Sequence, residues 1–151
     1  MRLIKGKLIL SFLAGLLLLI SCTPESCIED TEAYLKATFY KSKTKVKPDS
    51  LSAYGFGMIN PIYSGIRQIS VARLPLNNGA TTSEFILKID TGTDTLTVNY
   101  SNYVHLVSKE CGYTYFHNIE GITFGTGLID SVWVINPTTT NDNEENIRIF
   151  Y

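Results

Sequence analysis

From Ala33 onward, apolar residues recur at every second position through most of the chain, and no segment repeats them convincingly at helical spacing. Successive side chains of an extended strand point to opposite faces of a sheet, so this pattern predicts strands with one buried face. Leu35, Ala37 and Phe39 alternate with Tyr34, Lys36, Thr38 and Tyr40, giving a first strand over Ala33 to Lys41. Leu51 to Ile59 is a second apolar run, weakened by Gly55 and Gly57 and stopped at Asn60-Pro61, which predicts a bulged or bent strand. Ile66 to Leu76 is a third. Phe85, Leu87 and Ile89, then Leu96, Val98 and Tyr100, form the clearest hairpin, with Thr91-Gly92-Thr93 as a three-residue turn centred on a left-handed glycine. Short strands over Tyr103 to Ser108, Tyr113 to Phe124, Leu128 to Asn136 and Ile147 to Tyr151 complete the set. Eight or nine strands with frequent turns predict an all-β domain, a single antiparallel Ig-like β-sandwich, with a closed lipocalin-like barrel as the alternative.

Ahead of this domain the chain is organised differently. Arg2, Lys5 and Lys7 precede an apolar stretch from Leu8 to Ile20, interrupted by Ser11 and Gly15. As a helix it would reach about 20 Å at ~1.5 Å per residue, short of the ~30 Å hydrocarbon core of a bilayer, so it reads as an export signal and not a permanent span. The organisation expected is a signal over 1–21, an anchor segment over 22–32 and the β domain over 33–151.

Removal of the signal leaves ten basic against 14 acidic residues, a net charge of −4 with histidine neutral. A mildly acidic exported chain is a poor nucleic-acid binder. The full chain is 44% hydrophobic, enough for a packed core, which excludes general disorder. The lysines of Lys41-Ser42-Lys43-Thr44-Lys45-Val46-Lys47-Pro48 read as an exposed connection, with anionic lipid headgroups as the alternative contact.

Leu19-Ile20-Ser21-Cys22 resembles the lipobox of bacterial lipoproteins, in which a leucine and a small residue precede an invariant cysteine. The resemblance implies acylation of Cys22, so that the membrane would be a partner through lipid. Several acyl chains hold a domain on a membrane firmly where one does so marginally. Cys27 and Cys111 then remain as a pair in an oxidising compartment, which predicts a disulfide; two free thiols or a metal site are the alternatives. With His105 and His117 as the sole histidines and no Cys-x-x-Cys, zinc is not expected, nor is any other cofactor.

Catalytic motifs are not evident: there is no Gly-x-Ser-x-Gly, no Gly-rich phosphate loop and no His-Glu-x-x-His. Were their strands neighbours, His105 and His117 could approach each other beside Glu110 or Glu120 and support hydrolysis. Two independent strand histidines are the plainer expectation. The oxygen-rich loop Asn141-Asp142-Asn143-Glu144-Glu145-Asn146 could hold calcium but lacks the order of an EF-hand, so a solvated loop is expected. Tyr34, Tyr40, Tyr100, Tyr103 and Tyr115 are candidates for an aromatic platform under a sugar or peptide, or for an aromatic core. Asp49-Ser50-Leu51, Asp94-Thr95-Leu96 and Asp130-Ser131-Val132 are similar to the O-glycosylation triplet of exported proteins in Bacteroidetes-type bacteria, which would place sugar on Ser50, Thr95 and Ser131. The same dipeptides suit strand entry through local hydrogen bonds.

The anchoring cysteine, the second cysteine with acidic residues behind it, Cys111-Gly112-Tyr113-Thr114-Tyr115-Phe116 and the ending Glu144-Glu145-Asn146-Ile147-Arg148-Ile149-Phe150-Tyr151 together resemble an uncharacterised family of small exported lipoproteins from Bacteroidetes-type bacteria. That resemblance implies a lipid-anchored β domain of the cell envelope, on either face of the outer membrane, with Cys27 paired to Cys111. It implies no activity. The functional expectation is a non-enzymatic structural or interaction module whose partner is an envelope protein or glycan, with a small-ligand carrier built on a barrel cavity as the alternative.

Overall fold

The alternating segments pair into two sheets. The computed structural model describes residues 26–151. One sheet has β2 (Thr44–Val46), β1 (Tyr34–Lys41), β11 (Ile147–Phe150) and β9 (Ser131–Val134) in that order, and β5 (Ala72–Pro75) shares an edge of β1 with β2. The other runs β10 (Thr138–Thr139), β8 (Gly112–Phe124), β7 (Gly92–Ser108), β6 (Thr82–Ile89), β3 (Leu51–Gly55), β4 (Tyr63–Ile66), and one of the two sheets curls into a half-barrel. The all-β expectation holds. All pairings are antiparallel except β1 with β11, which is parallel, so the last strand is inserted beside the first.

The core lies between the two layers. Leu35, Ala37 and Phe39 of β1, Leu74 of β5, and Ile147 and Ile149 of β11 meet Leu51, Phe85, Leu87, Ile89, Leu96, Val98 and Tyr100 of the second sheet, all essentially removed from solvent. Burial of each such aliphatic side chain is worth about 1.5–3 kcal/mol against leaving it in water.

Several strand boundaries differ from the sequence expectation, each for a local reason. The segments over Leu96–Tyr100 and Tyr103–Ser108 are one strand, β7, of 17 residues, because the ladder with β8 runs through Ser101 and Asn102 without a break. The β6–β7 turn has two residues, not three: Ile89 pairs with Gly92, and Asp90 takes the left-handed conformation at φ 53°. Gly92 instead lets Leu128 pack closely on the turn, since a Cβ there would lie 2.5 Å from Leu128 Cδ1 and displace that side chain. The Asp90 carboxylate accepts from the backbone N–H of Asp49 at 2.8 Å and from Lys41 Nζ at 2.9 Å, which joins the turn to the ends of β1 and β3. Of the run over Ile66–Leu76, Ile66 ends β4 and Ala72–Pro75 form β5, two strands that lie in different sheets. Part of the lysine-rich connection is the short strand β2, exposed as expected at Lys43, Lys45 and Lys47.

Strand β1 departs from simple alternation because both its faces are covered. Lys36 and Thr38, on the reverse face, are buried beneath the 140–145 segment. Lys36 Nζ donates to the Thr140 carbonyl at 2.9 Å, and the Thr38 hydroxyl donates to Glu145, which also holds Arg148 at 2.8 Å. Asn146 is the hub: its Oδ1 accepts from Lys36 N–H at 2.9 Å while its amide donates to the carbonyls of Asn136 and Thr138. Every polar group of this buried side chain is thereby satisfied, as burial requires.

Candidate functional site

The β7–β8 ribbon and the segment that precedes β1 form the most distinctive region. Cys27 and Cys111 are joined as a disulfide with Cα atoms 4.7 Å apart, which pins the segment preceding β1 to the ribbon's tip. From there the segment follows one face of the ribbon: Thr114 Oγ1 donates to the Thr31 carbonyl at 2.6 Å, and Asn141 donates to the Asp30 carbonyl at 2.9 Å. On that face His105 stacks on Phe116, with ring centroids 4.4 Å apart and planes within 15°. Cys22 lies outside the described residues.

His105 and His117 do not come together. His105 pairs with Thr114 and His117 with Asn102, which places the two rings on opposite faces of the ribbon. His117 is buried, edge-on to Tyr100, and its Nδ1 meets Asn102 Oδ1 at 2.6 Å. The Asn102 amide is committed as a donor to the carbonyls of Ala80 and Asn78, so its oxygen is the acceptor and His117 carries its proton on Nδ1. Burial holds the His117 pKa below its ordinary value of 6.5. The neutral ring is therefore the folded form, and stability is expected to fall as pH drops below about 6.5 toward the depressed folded value. Replacing His117 by alanine should cost roughly 3 kcal/mol through lost packing and an orphaned Asn102 oxygen. Urea titrations between about pH 7 and pH 5 should show a steeper loss for the wild type than for the variant; equal slopes would mean that His117 is not the group responsible.

The remaining candidates are dispersed. In the 141–146 loop, Glu145 is taken by Thr38 and Arg148, Glu144 by Asn136, Asn143 by Arg73, and Asn146 by backbone. Among the described residues no three His, Cys, Asp or Glu side chains converge as a metal site. Of the tyrosines, Tyr100 is fully buried in the core, and Tyr103 and Tyr115 occupy opposite faces of the ribbon, so the five do not form one platform. Ser50, Thr95 and Ser131 are half-buried. Asp130 precedes β9 and does not lie within it.

Asp94 has a definite structural task. Its Oδ2 accepts from the backbone N–H groups of Leu128, Ile129 and Gly127 at 2.8, 2.9 and 3.1 Å, and its Oδ1 from Thr95 N–H at 2.8 Å. A Cβ at Gly125 would lie 1.9 Å from Asp94 Oδ1, so only glycine allows the 125–129 loop to close on the carboxylate.

Two surface features were not singled out from sequence. On the outer side of the first sheet Tyr40, Phe150 and Trp133 form a chain of rings, Tyr40 to Phe150 at 5.1 Å and Phe150 to Trp133 at 5.0 Å, with the Arg148 guanidinium over Tyr40. The alternation of each strand places these rings on the outward side, but which strands lie side by side is decided only by the parallel insertion of β11. The second is a recess of about 580 Å³ lined by Phe56, Met58, Ile62, Leu76 and Phe85. Residues 50–151 match the model of a family described as one of unknown function, DUF6452. No curated protein and no solved structure matches the chain.

Proposed function

The chain belongs to that family of unknown function, DUF6452, and from its own residues we propose that it is a lipid-anchored, non-catalytic interaction module of the cell envelope, attached through Cys22 to the outer membrane. The observation that carries the interaction reading is the edge of the first sheet. Strand β9 is paired only with β11 among the described residues, and it runs Ser131-Val132-Trp133-Val134, followed by Ile135, without a charge. Trp133, Val134 and Ile135 are all exposed. Open edges are ordinarily blunted by lysine, proline or cover, as Lys45 of β2 and the flanking Lys43 and Lys47 do at the opposite edge, so an uncharged edge suits addition of a partner strand. The non-catalytic reading is supported by the separation of the two imidazoles, neither of which is hydrogen-bonded to a carboxylate among the described residues.

Intact-mass measurement on protein from its native host tests the anchor: acyl mass is expected on Cys22, and sugar mass on Ser50, Thr95 or Ser131 would mark the glycosylation triplets as used. An unmodified Cys22 would refute the anchor. A photo-crosslinker at Val134 tests the edge. Adducts with an envelope protein are expected, and a crosslinker that captures nothing in intact envelopes would count against the edge. The 580 Å³ apolar recess favours one other reading, a carrier of a small apolar ligand. Reproducible co-purification of such a ligand, lost on Met58→Asp, would replace the interaction reading.

A further inference from the structure

We propose that the protruding end of the β7–β8 ribbon is a membrane-contacting surface, seated at the boundary of headgroups and acyl chains. Strand β6 accompanies β7 only as far as Asn99, and Asn102 is still tied to the carbonyls of Asn78 and Ala80, so Tyr103 to Ser108 and their β8 partners extend past the sandwich, roughly 17 Å at ~3.4 Å per residue. The face that is core at Tyr100 and Ile119 continues along this extension as Val104 opposite Tyr115 and Leu106 opposite Tyr113. There it is covered by neither sheet: Val104 is 57%, Leu106 46%, Tyr113 73% and Tyr115 43% exposed. The anchor segment does not shield it, since its contact through Thr114 is on the other face.

The occupant follows from chain length, and this step rests on the anchor reading at Cys22. Cys22 and Cys27 are five chain steps apart, with four residues between them, a reach of at most about 18 Å at ~3.5 Å per step. Cys27 is bonded to Cys111 at the ribbon's tip. An acylated Cys22 therefore holds this end of the ribbon within reach of the bilayer surface. Two tyrosines beside a valine and a leucine match the amphipathic layer of that surface, where a ring is buried and its hydroxyl stays wet. The rest of the domain points away. Strand β1 leads from the anchor segment through Lys36, level with the 140s, to Lys41, so Lys43, Lys45 and Lys47 lie at the far end and headgroup contact by them is not part of this arrangement.

The test uses the chain from Cys22 to Tyr151, the finished protein under the anchor reading, coupled through the free Cys22 thiol to a maleimide-headgroup lipid. The vesicles are of phosphatidylethanolamine and phosphatidylglycerol, with acyl chains brominated near the headgroup. Wild-type protein reports from Trp133, and Tyr113→Trp in a Trp133→Phe background reports from the ribbon, with Leu106→Trp in the same background as a second probe should the first misfold. Bromination is expected to quench either ribbon probe at least two-fold and to leave Trp133 unchanged. Ribbon probes no more quenched than Trp133 would overturn the proposal, as would burial of this face in a dimer that persists on the vesicles. Because coupling is chemical, the result does not depend on acylation by the host. Quenching with a bare Cys22 in native protein would sink the anchor alone, and acylated Cys22 without quenching would sink the surface alone.

Discussion

Replacing Asp94 by alanine is expected to destabilise the fold by on the order of 4 kcal/mol, the largest effect of any single polar side chain here. Four backbone N–H groups converge on this nearly buried carboxylate, three of them from Gly127, Leu128 and Ile129, and alanine would leave those donors without an acceptor. Asp94→Asn keeps the shape but turns an amide N–H₂ toward a donor, and about half the loss is expected. Burial by itself would raise the Asp94 pKa, but the N–H groups of Ile129, Leu128, Thr95 and Gly127 outweigh it, and the net position is below the ordinary 3.8. The contribution is therefore complete above that value and is lost as pH falls through the depressed folded one. Asp90, held down by Lys41 and two backbone N–H groups against its burial, and Glu145, held down by Arg148 and Thr38 against its burial, shift in the same direction. Denaturant titrations below about pH 4 should show wild-type stability falling steeply and that of Asp94→Asn falling less. A variant as stable as wild type at neutral pH would mean that the 125–129 loop closes without the carboxylate.

Breaking the Cys27–Cys111 link should have an effect of similar size. The disulfide spans 84 residues of sequence, and the chain-entropy account assigns such a loop up to about 4.5 kcal/mol, arising from restriction of the unfolded chain. For a domain of this size that corresponds to a fall in Tm of roughly 10–20 °C in Cys111→Ser. Adding a reductant to wild-type protein should bring its melting curve to that of the variant. An unchanged Tm would show that the unfolded ensemble is already restricted. The segment over 28–32 should respond more than the core, because without the disulfide it retains chiefly the contacts of Thr31 and Asp30 with Thr114 and Asn141. Amide exchange in 28–32 is expected to accelerate while that of Phe39 and Ile149 changes in proportion to global stability alone.

The parts of this molecule that could be read along the chain are those governed by local rules. Alternation at Leu35-Ala37-Phe39, Phe85-Leu87-Ile89 and Leu96-Val98-Tyr100 places these residues in the core, because a strand's two faces are set by the pleat whatever its partner. The count of cysteines left after Cys22 pointed to the Cys27–Cys111 pair. The turn chemistry at Asp90 was misassigned because Asp and Gly both tolerate a left-handed backbone, and only the Ile89–Gly92 pairing shows which of them occupies it. The two segments of β7 read as separate strands because Ser101 and Asn102 interrupt the apolar alternation, whereas Asn102 binds His117 and the carbonyls of Asn78 and Ala80 where the core ends.

What the sequence by itself determined is therefore the class of fold, the inward residues and the cysteine pairing. What only the tertiary structure decided is adjacency: β11 inserted parallel to β1, two histidines on opposite faces, Asp94 beneath a loop more than thirty residues away, and an apolar face running on beyond its cover. The reason is physical. Side-chain direction within a strand follows from neighbouring residues, whereas the choice of which strands meet is made by the summed burial of two whole sheets, a quantity that no short window of the chain contains.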